Sequence, residues 1–125
     1  MGDKKKILAI DDNVMLLKIF TETLSPKYEV SVVKSAAEAL SFLNTNAMDI
    51  ILLDIEMPNI TGFEFLKDIR KIPSYMSVPV IIVSGNTGME FFEEAKQSSA
   101  FDVLSKPVSQ KKLETTIERA LAASS

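Results

Sequence analysis

Three short runs of this chain are apolar at every position: Ile7-Leu8-Ala9-Ile10, Ile50-Ile51-Leu52-Leu53 and Val80-Ile81-Ile82-Val83. A strand with one face in water alternates apolar and polar residues; a strand covered on both faces does not. These runs, rich in β-branched residues, therefore predict central strands of a parallel sheet lying between two layers of helix. Parallel neighbours need crossover connections rather than tight turns, and the intervening segments have helical period. Leu17, Phe20 and Leu24 form a stripe that stops at Pro26, and Leu113, Ile117 and Leu121 form another. Ser35 with Glu38, Thr61 with Glu64, and Thr87 with Glu90 each fit a capping box at a helix start. Two further segments do alternate. Tyr28, Val30 and Val32 are expected on one face of an edge strand, and Phe101 with Val103 on one face of another.

The pattern is five βα units with short connections, hence an α/β fold with an open five-stranded parallel sheet and helices on both faces. The order 2-1-3-4-5 puts the alternating strands at the edges. It also reverses the chain's direction of travel between strands 1 and 3, where a crevice opens at the carboxyl ends. The expected organisation is one domain over residues 1–125, with an ordered core from about 5 to 122 and fraying from Ala123 onward. At 46% hydrophobic residues, a disordered chain is excluded.

Composition removes whole classes of chemistry. The chain has no cysteine and no histidine. Thiol nucleophiles, histidine bases, Ser-His triads and His or Cys metal sites are all ruled out. What chemistry there is must run on carboxylates, hydroxyls, amides and lysines. The net charge of −3 argues against direct nucleic-acid binding, and the one basic run, Lys4 to Lys6, reads as a solvated strand entry. No apolar stretch approaches the roughly 18 residues that cross a bilayer, and no secretory signal is apparent. A cytoplasmic location without membrane insertion is expected.

The polar residues fall at the strand ends. Asp11 and Asp12 follow the first run, Asp54 the third strand, Ser84 the fourth and Lys106 the fifth. In a parallel sheet these ends lie on one edge, so residues distant in sequence converge. Taken singly, each has a plain explanation. Asp12 or Asn13 could cap a helix, Asp54 could form a turn, Ser84 could be a loop hydroxyl and Lys106 a surface lysine. Taken together, three carboxylates repel unless a cation joins them. Oxygen ligands without histidine select a hard ion, magnesium or manganese in its place. With a lysine and a hydroxyl for phosphate oxygens, the set makes an electrostatic clamp for phosphoryl transfer.

The ordered pieces Ile-Asp-Asp-Asn at 10–13, Leu-Leu-Asp-Ile-Glu-Met-Pro at 52–58, Thr61-Gly62, Ser84 and Lys106-Pro107 resemble the receiver domain of two-component response regulators over essentially the whole chain. The resemblance implies a flavodoxin-like fold with Asp54 as the phosphoacceptor. It implies a metal held by Asp11, Asp12, Asp54 and the backbone carbonyl of Glu56, with Ser84 as conformational sensor. Lys106 would bridge to the phosphoryl group through a cis bond to Pro107. Glu56 and Asn86 are the positions that tune dephosphorylation in the family. The implied partners are a sensor histidine kinase or a phosphotransfer protein, with the face of helix 4, strand 5 and helix 5 as the surface that switches. A phosphorylation-dependent dimer is one form its output could take. The domain itself would be regulatory, catalysing only its own phosphorylation and dephosphorylation, and no output domain is expected in this chain.

Two positions depart from the family. An aromatic residue usually stands where this chain has Val103, and Gly85 often stands as alanine. The usual side-chain relay is therefore not expected unchanged; relay through the loop after Ser84 takes its place. In the fourth helix, core packing accounts for Phe92 with Ala95, and both Phe91 and Phe92 could lie buried at the margin; the functional alternative puts Met89 or Phe91 at a partner surface. One rival reading is a receiver-like interaction module without the phosphorylation chemistry. The other is a hydrolase, flavin or nucleotide protein of similar layout; against it, no glycine-rich phosphate loop follows the first strand.

Overall fold

The computed structural model describes residues 4–57, 61–86 and 88–124. Strands β1 (Lys6–Ile10), β2 (Glu29–Val33), β3 (Ile50–Asp54), β4 (Val80–Ser84) and β5 (Asp102–Ser105) alternate with helices α1 (Val14–Leu24), α2 (Ala36–Thr45), α3 (Gly62–Arg70), α4 (Met89–Gln97) and α5 (Gln110–Ser124). The strands form one parallel sheet in the order β2-β1-β3-β4-β5, as the apolar runs require.

Side chains of each central strand divide between two cores, because successive residues point to opposite faces. Leu8, Ile10, Ile51, Leu53, Val80 and Ile82 pack against α2, α3 and α4. Ile7, Ala9, Ile50, Leu52, Ile81 and Val83 pack against α1 and α5. Leu17, Phe20 and Leu24 are buried as their spacing predicts, as are Leu113 and Ile117.

The helix starts explain why the chain turns where it does. The Ser35 and Thr61 hydroxyls accept from the amides of Glu38 and Glu64, 3.1 and 3.4 Å away, so these two caps form. Glu38 reaches back to the Lys34 amide at 2.9 Å. Thr87 lies outside the described residues; α4 begins at Met89 with Gly88 as its N-cap. Gly62 opens α3 in contact with the segment that follows Asp54. A Cβ there would stand 2.6 Å from the Ile55 Cα, a distance no side chain tolerates.

Several expectations are corrected. Phe101 and Val103 do not share a face. Phe101 precedes the strand, so the two-residue alternation does not reach it; it packs on the α1–α5 side, under the Arg119 guanidinium at 5.7 Å. Val103 packs on the opposite core. In α4 the inward pair is Phe91 with Ala95, four residues apart, not Phe92 with Ala95. Phe91 lies against Phe63 of α3, with ring centroids 5.8 Å apart, while Phe92 is exposed. α5 runs through Ser124, past Ala123.

The Arg70 side chain was not singled out by the sequence. It donates to the carbonyls of Tyr75 (2.8 Å) and Val78 (2.6 Å) and to both the hydroxyl and carbonyl of Ser99 (2.9 Å each). It thereby ties the end of α3 to the entry of β4 and to the loop before β5.

Candidate functional site

The carboxyl ends of β1 and β3 are neighbours, so Asp11, the residue after Ile10, comes beside Asp54, the residue after Leu53; Ile10 and Leu53 are register partners. Asp12 joins them. One oxygen from each of Asp11, Asp12 and Asp54 lies within 4.8 Å of the other two. Asp11 and Asp54 are buried, and Asp12 is exposed at the rim.

Each buried carboxylate spends one oxygen on the local backbone. Asp11 Oδ1 accepts from the Asn13 amide and Asp54 Oδ1 from the Glu56 amide, both at 2.9 Å. These two bonds turn the other oxygens towards each other. The Lys106 ammonium sits 3.5 Å from Asp11 Oδ2 and 3.5 Å from Asp54 Oδ2. It gets there because β5 ends beside β4, where the Lys106 amide donates to the Ser84 carbonyl at 2.8 Å. The Lys106–Pro107 bond is cis.

Asp11 Oδ2 is buried without a hydrogen-bond partner among the described residues. Burial, reinforced by the Asp54 charge, pushes the Asp11 carboxyl up to about 6, against the pull of the Asn13 amide and Lys106. A buried, under-satisfied oxygen facing two further carboxylates is the environment that a hard divalent cation would complete.

Ser84, fully buried at the end of β4, donates to Glu56 Oε1 at 3.2 Å and accepts from the Asn86 amide at 2.9 Å. The Gly85 amide donates to the same Glu56 oxygen at 2.9 Å. Asn86 does not reach the carboxylates; its side-chain oxygen accepts from the Gly88 amide at 2.8 Å. Val103 stands away from the acidic cluster, beside a groove of about 590 Å³ between α4 and β5 that Phe92 and Ala100 also line. Met89 is fully available at the surface, 82% exposed. Phe91 is buried and is not part of an exposed surface; Phe92 takes that place.

An apolar face on α1 escaped the sequence reading. Val14, Met15 and Ile19 are exposed, and Val14 lines a groove with exposed Val32 of β2. Val14 follows Asp12 and Asn13, so this face adjoins the acidic cluster. The signal was present in the sequence, since Met15 and Ile19 recur at helical spacing on the side opposite Leu17, Phe20 and Leu24.

The model of the response regulator receiver domain family matches residues 7–118. The chain is 32% identical over 122 residues to the transcriptional regulatory protein ZraR of Klebsiella oxytoca, covering 97% of this chain and 27% of that protein. Among solved structures, chemotaxis protein CheY4 of Vibrio cholerae superposes with a TM-score of 0.89 at 32% identity, over 95% of this chain and 100% of that one. The receiver domain of the sensor histidine kinase PA1611 from Pseudomonas aeruginosa PAO1, solved with a magnesium ion in its active-site cleft, superposes with a TM-score of 0.86 at 25% identity, over 96% of this chain and 99% of that one. The chain spans between 12% and 31% of the length of the curated relatives it matches. Among the described residues, no helix is long and apolar enough to cross a membrane.

Proposed function

Because the chain belongs to the response regulator receiver family of two-component systems, a regulatory domain family, we propose that Asp54 is the phosphoacceptor of this receiver and that Lys106 and Ser84 serve the transfer. The observation that carries the reading is the meeting of Asp11, Asp12 and Asp54 under the Lys106 ammonium.

Asp11, Asp12, Asp54 and the Glu56 backbone carbonyl would hold Mg²⁺, or Mn²⁺ in its place. Bound there, the ion supplies positive charge for the oxygens of an incoming phosphoryl group. The chain's own residues do the rest. The Asp54 carboxylate, held by the Glu56 amide, directs an oxygen at phosphorus. The O–P bond forms as the P–N bond to a donor histidine breaks, and the imidazole leaves with the bonding pair. Lys106 stays beside Asp54 as a cation for the oxygens of the transferred group. The product carries a charge of about −1.5 to −2 at a site formerly shared with one lysine. Rearrangement of Ser84 and its loop then alters the face of α4, β5 and α5, on which Met89 and Phe92 are exposed. Val103 is too small for an aromatic relay, so the signal passes through the loop of Gly85 and Asn86.

The donor is a histidine kinase or phosphotransfer protein. A macromolecule that brings phosphorus to Asp54 must cover the rim beside Asp12, and the apolar residues of α1 give it a surface to rest on.

Intact mass before and after treatment with acetyl phosphate and Mg²⁺ tests the reading. The parent should gain one phosphoryl group and Asp54→Asn none. A parent chain that gains nothing would favour an interaction module without the chemistry.

A further inference from the structure

The Glu56 side chain is engaged in the site before any phosphoryl group arrives. Its Oε1 accepts the Ser84 hydroxyl proton at 3.2 Å and the Gly85 amide at 2.9 Å. Ser84 has a single proton to donate, and its oxygen already accepts from the Asn86 amide, so its donor capacity is fully committed to Glu56. The Glu56 amide meanwhile holds Asp54 Oδ1. One residue thus links the Asp54 carboxylate to the end of β4.

The two captured donors stand at the end of the strand beside Asp54. Asp54 pairs in register with Val83, and Ser84 and Gly85 are the next two residues along that neighbouring strand. Carboxylate and phosphoryl oxygens are acceptors of the same kind, and both bind a hydroxyl and a backbone amide as anions. Glu56 is also exposed, so its carboxylate has open solvent into which to withdraw.

We propose that the Glu56 carboxylate is an internal competitor for the phosphoryl group, occupying the Ser84 hydroxyl and Gly85 amide until an anion on Asp54 displaces it. This rests on the assignment of Asp54 as phosphoacceptor. Glu56 is a specificity- and rate-setting residue here: the parent must give up two charge-assisted hydrogen bonds whenever it binds a phosphoryl group, and a chain without the carboxylate gives up none.

The test uses beryllium trifluoride, which mimics the phosphoryl group without chemistry, at saturating Mg²⁺. Binding is followed through the Gly85 amide resonance in the parent, Glu56→Ala, Glu56→Gln and Asp54→Asn. Glu56→Ala should bind about tenfold or more tightly than the parent, the size expected when a charge-assisted bond no longer has to be broken. Glu56→Gln should fall between, because its neutral amide oxygen holds the same two donors less strongly. In the absence of the probe, the Gly85 amide should move upfield in Glu56→Ala as its acceptor is lost. Glu56→Ala binding no tighter than a parent that does bind overturns the proposal and leaves the Asp54 assignment standing. No binding by any of the four chains overturns both.

Discussion

The Lys106 ammonium lies 3.5 Å from Asp11 Oδ2, an oxygen buried with no hydrogen-bond donor of its own among the described residues. A single lysine, itself shared with Asp54, does not compensate for burying the Asp11 charge, and the carboxyl is pushed up to about 6. A carboxyl whose folded value lies above its ordinary 3.8 holds its proton more tightly in the native state. Its ionisation therefore costs stability, fully above about pH 6 and not at all below about pH 4. Asp11→Asn should stabilise the metal-free protein at pH 7 by on the order of 1–3 kcal/mol. The gain should disappear near pH 4. Urea midpoints in EDTA at the two pH values check this; a variant less stable than the parent at pH 7 would refute it.

The same titration governs metal affinity. A divalent ion held as proposed would need Asp11 ionised, so its binding would expel a proton as pH falls through about 6. Mg²⁺ affinity should be level above pH 7 and fall about tenfold per pH unit well below 6, if Asp11 is the one carboxyl that titrates there. Calorimetry in buffers of different ionisation enthalpy would reveal the released proton.

The proposed docking of a donor on α1 is separable from the proposed chemistry at Asp54. Ile19 and Met15 are exposed and make no part of the carboxylate cluster. Ile19→Glu with Met15→Glu should slow transfer from a phosphorylated phosphotransfer protein by about tenfold or more, through lost apolar contact. Phosphorylation by acetyl phosphate, which needs no docking face, should stay within about twofold.

Gly62 presses against the segment that follows Asp54. Alanine normally favours a helix over glycine by about 1 kcal/mol. Here its Cβ would meet the Ile55 main chain at 2.6 Å, so the sign reverses. Gly62→Ala should destabilise by about 1–3 kcal/mol. Trimming Ile55 to alanine in the same chain removes the side-chain atoms at 2.2 and 2.5 Å but should not fully restore stability, since the Cα at 2.6 Å still obstructs.

Arg70 holds three carbonyls and a hydroxyl with no carboxylate opposite among the described residues, and burial lowers the affinity of its guanidinium for a proton. Arg70→Met should cost about 2 kcal/mol by urea unfolding, because it strands the partly buried Tyr75 and Val78 carbonyls. Arg70→Lys should recover little. One ammonium cannot span acceptors on both sides as the planar fork does.

The sequence by itself determined the sheet. Runs such as Ile50 to Leu53 have no polar side to turn outward, so they must lie inside, and only a helix-covered parallel sheet hides them. It also put Asp11, Asp12, Asp54, Ser84 and Lys106 at one edge, because the carboxyl ends of parallel strands necessarily point the same way. Only the tertiary structure decided which of two adjacent aromatic residues faces inward. Phe91 and Phe92 differ by about a hundred degrees around α4, and the position of Phe63 on α3 selects the first. The same is true of Glu56. Its place two residues after Asp54 was visible in the chain, but its grip on Ser84 and Gly85 depends on where β4 ends in space, a distance no local pattern encodes.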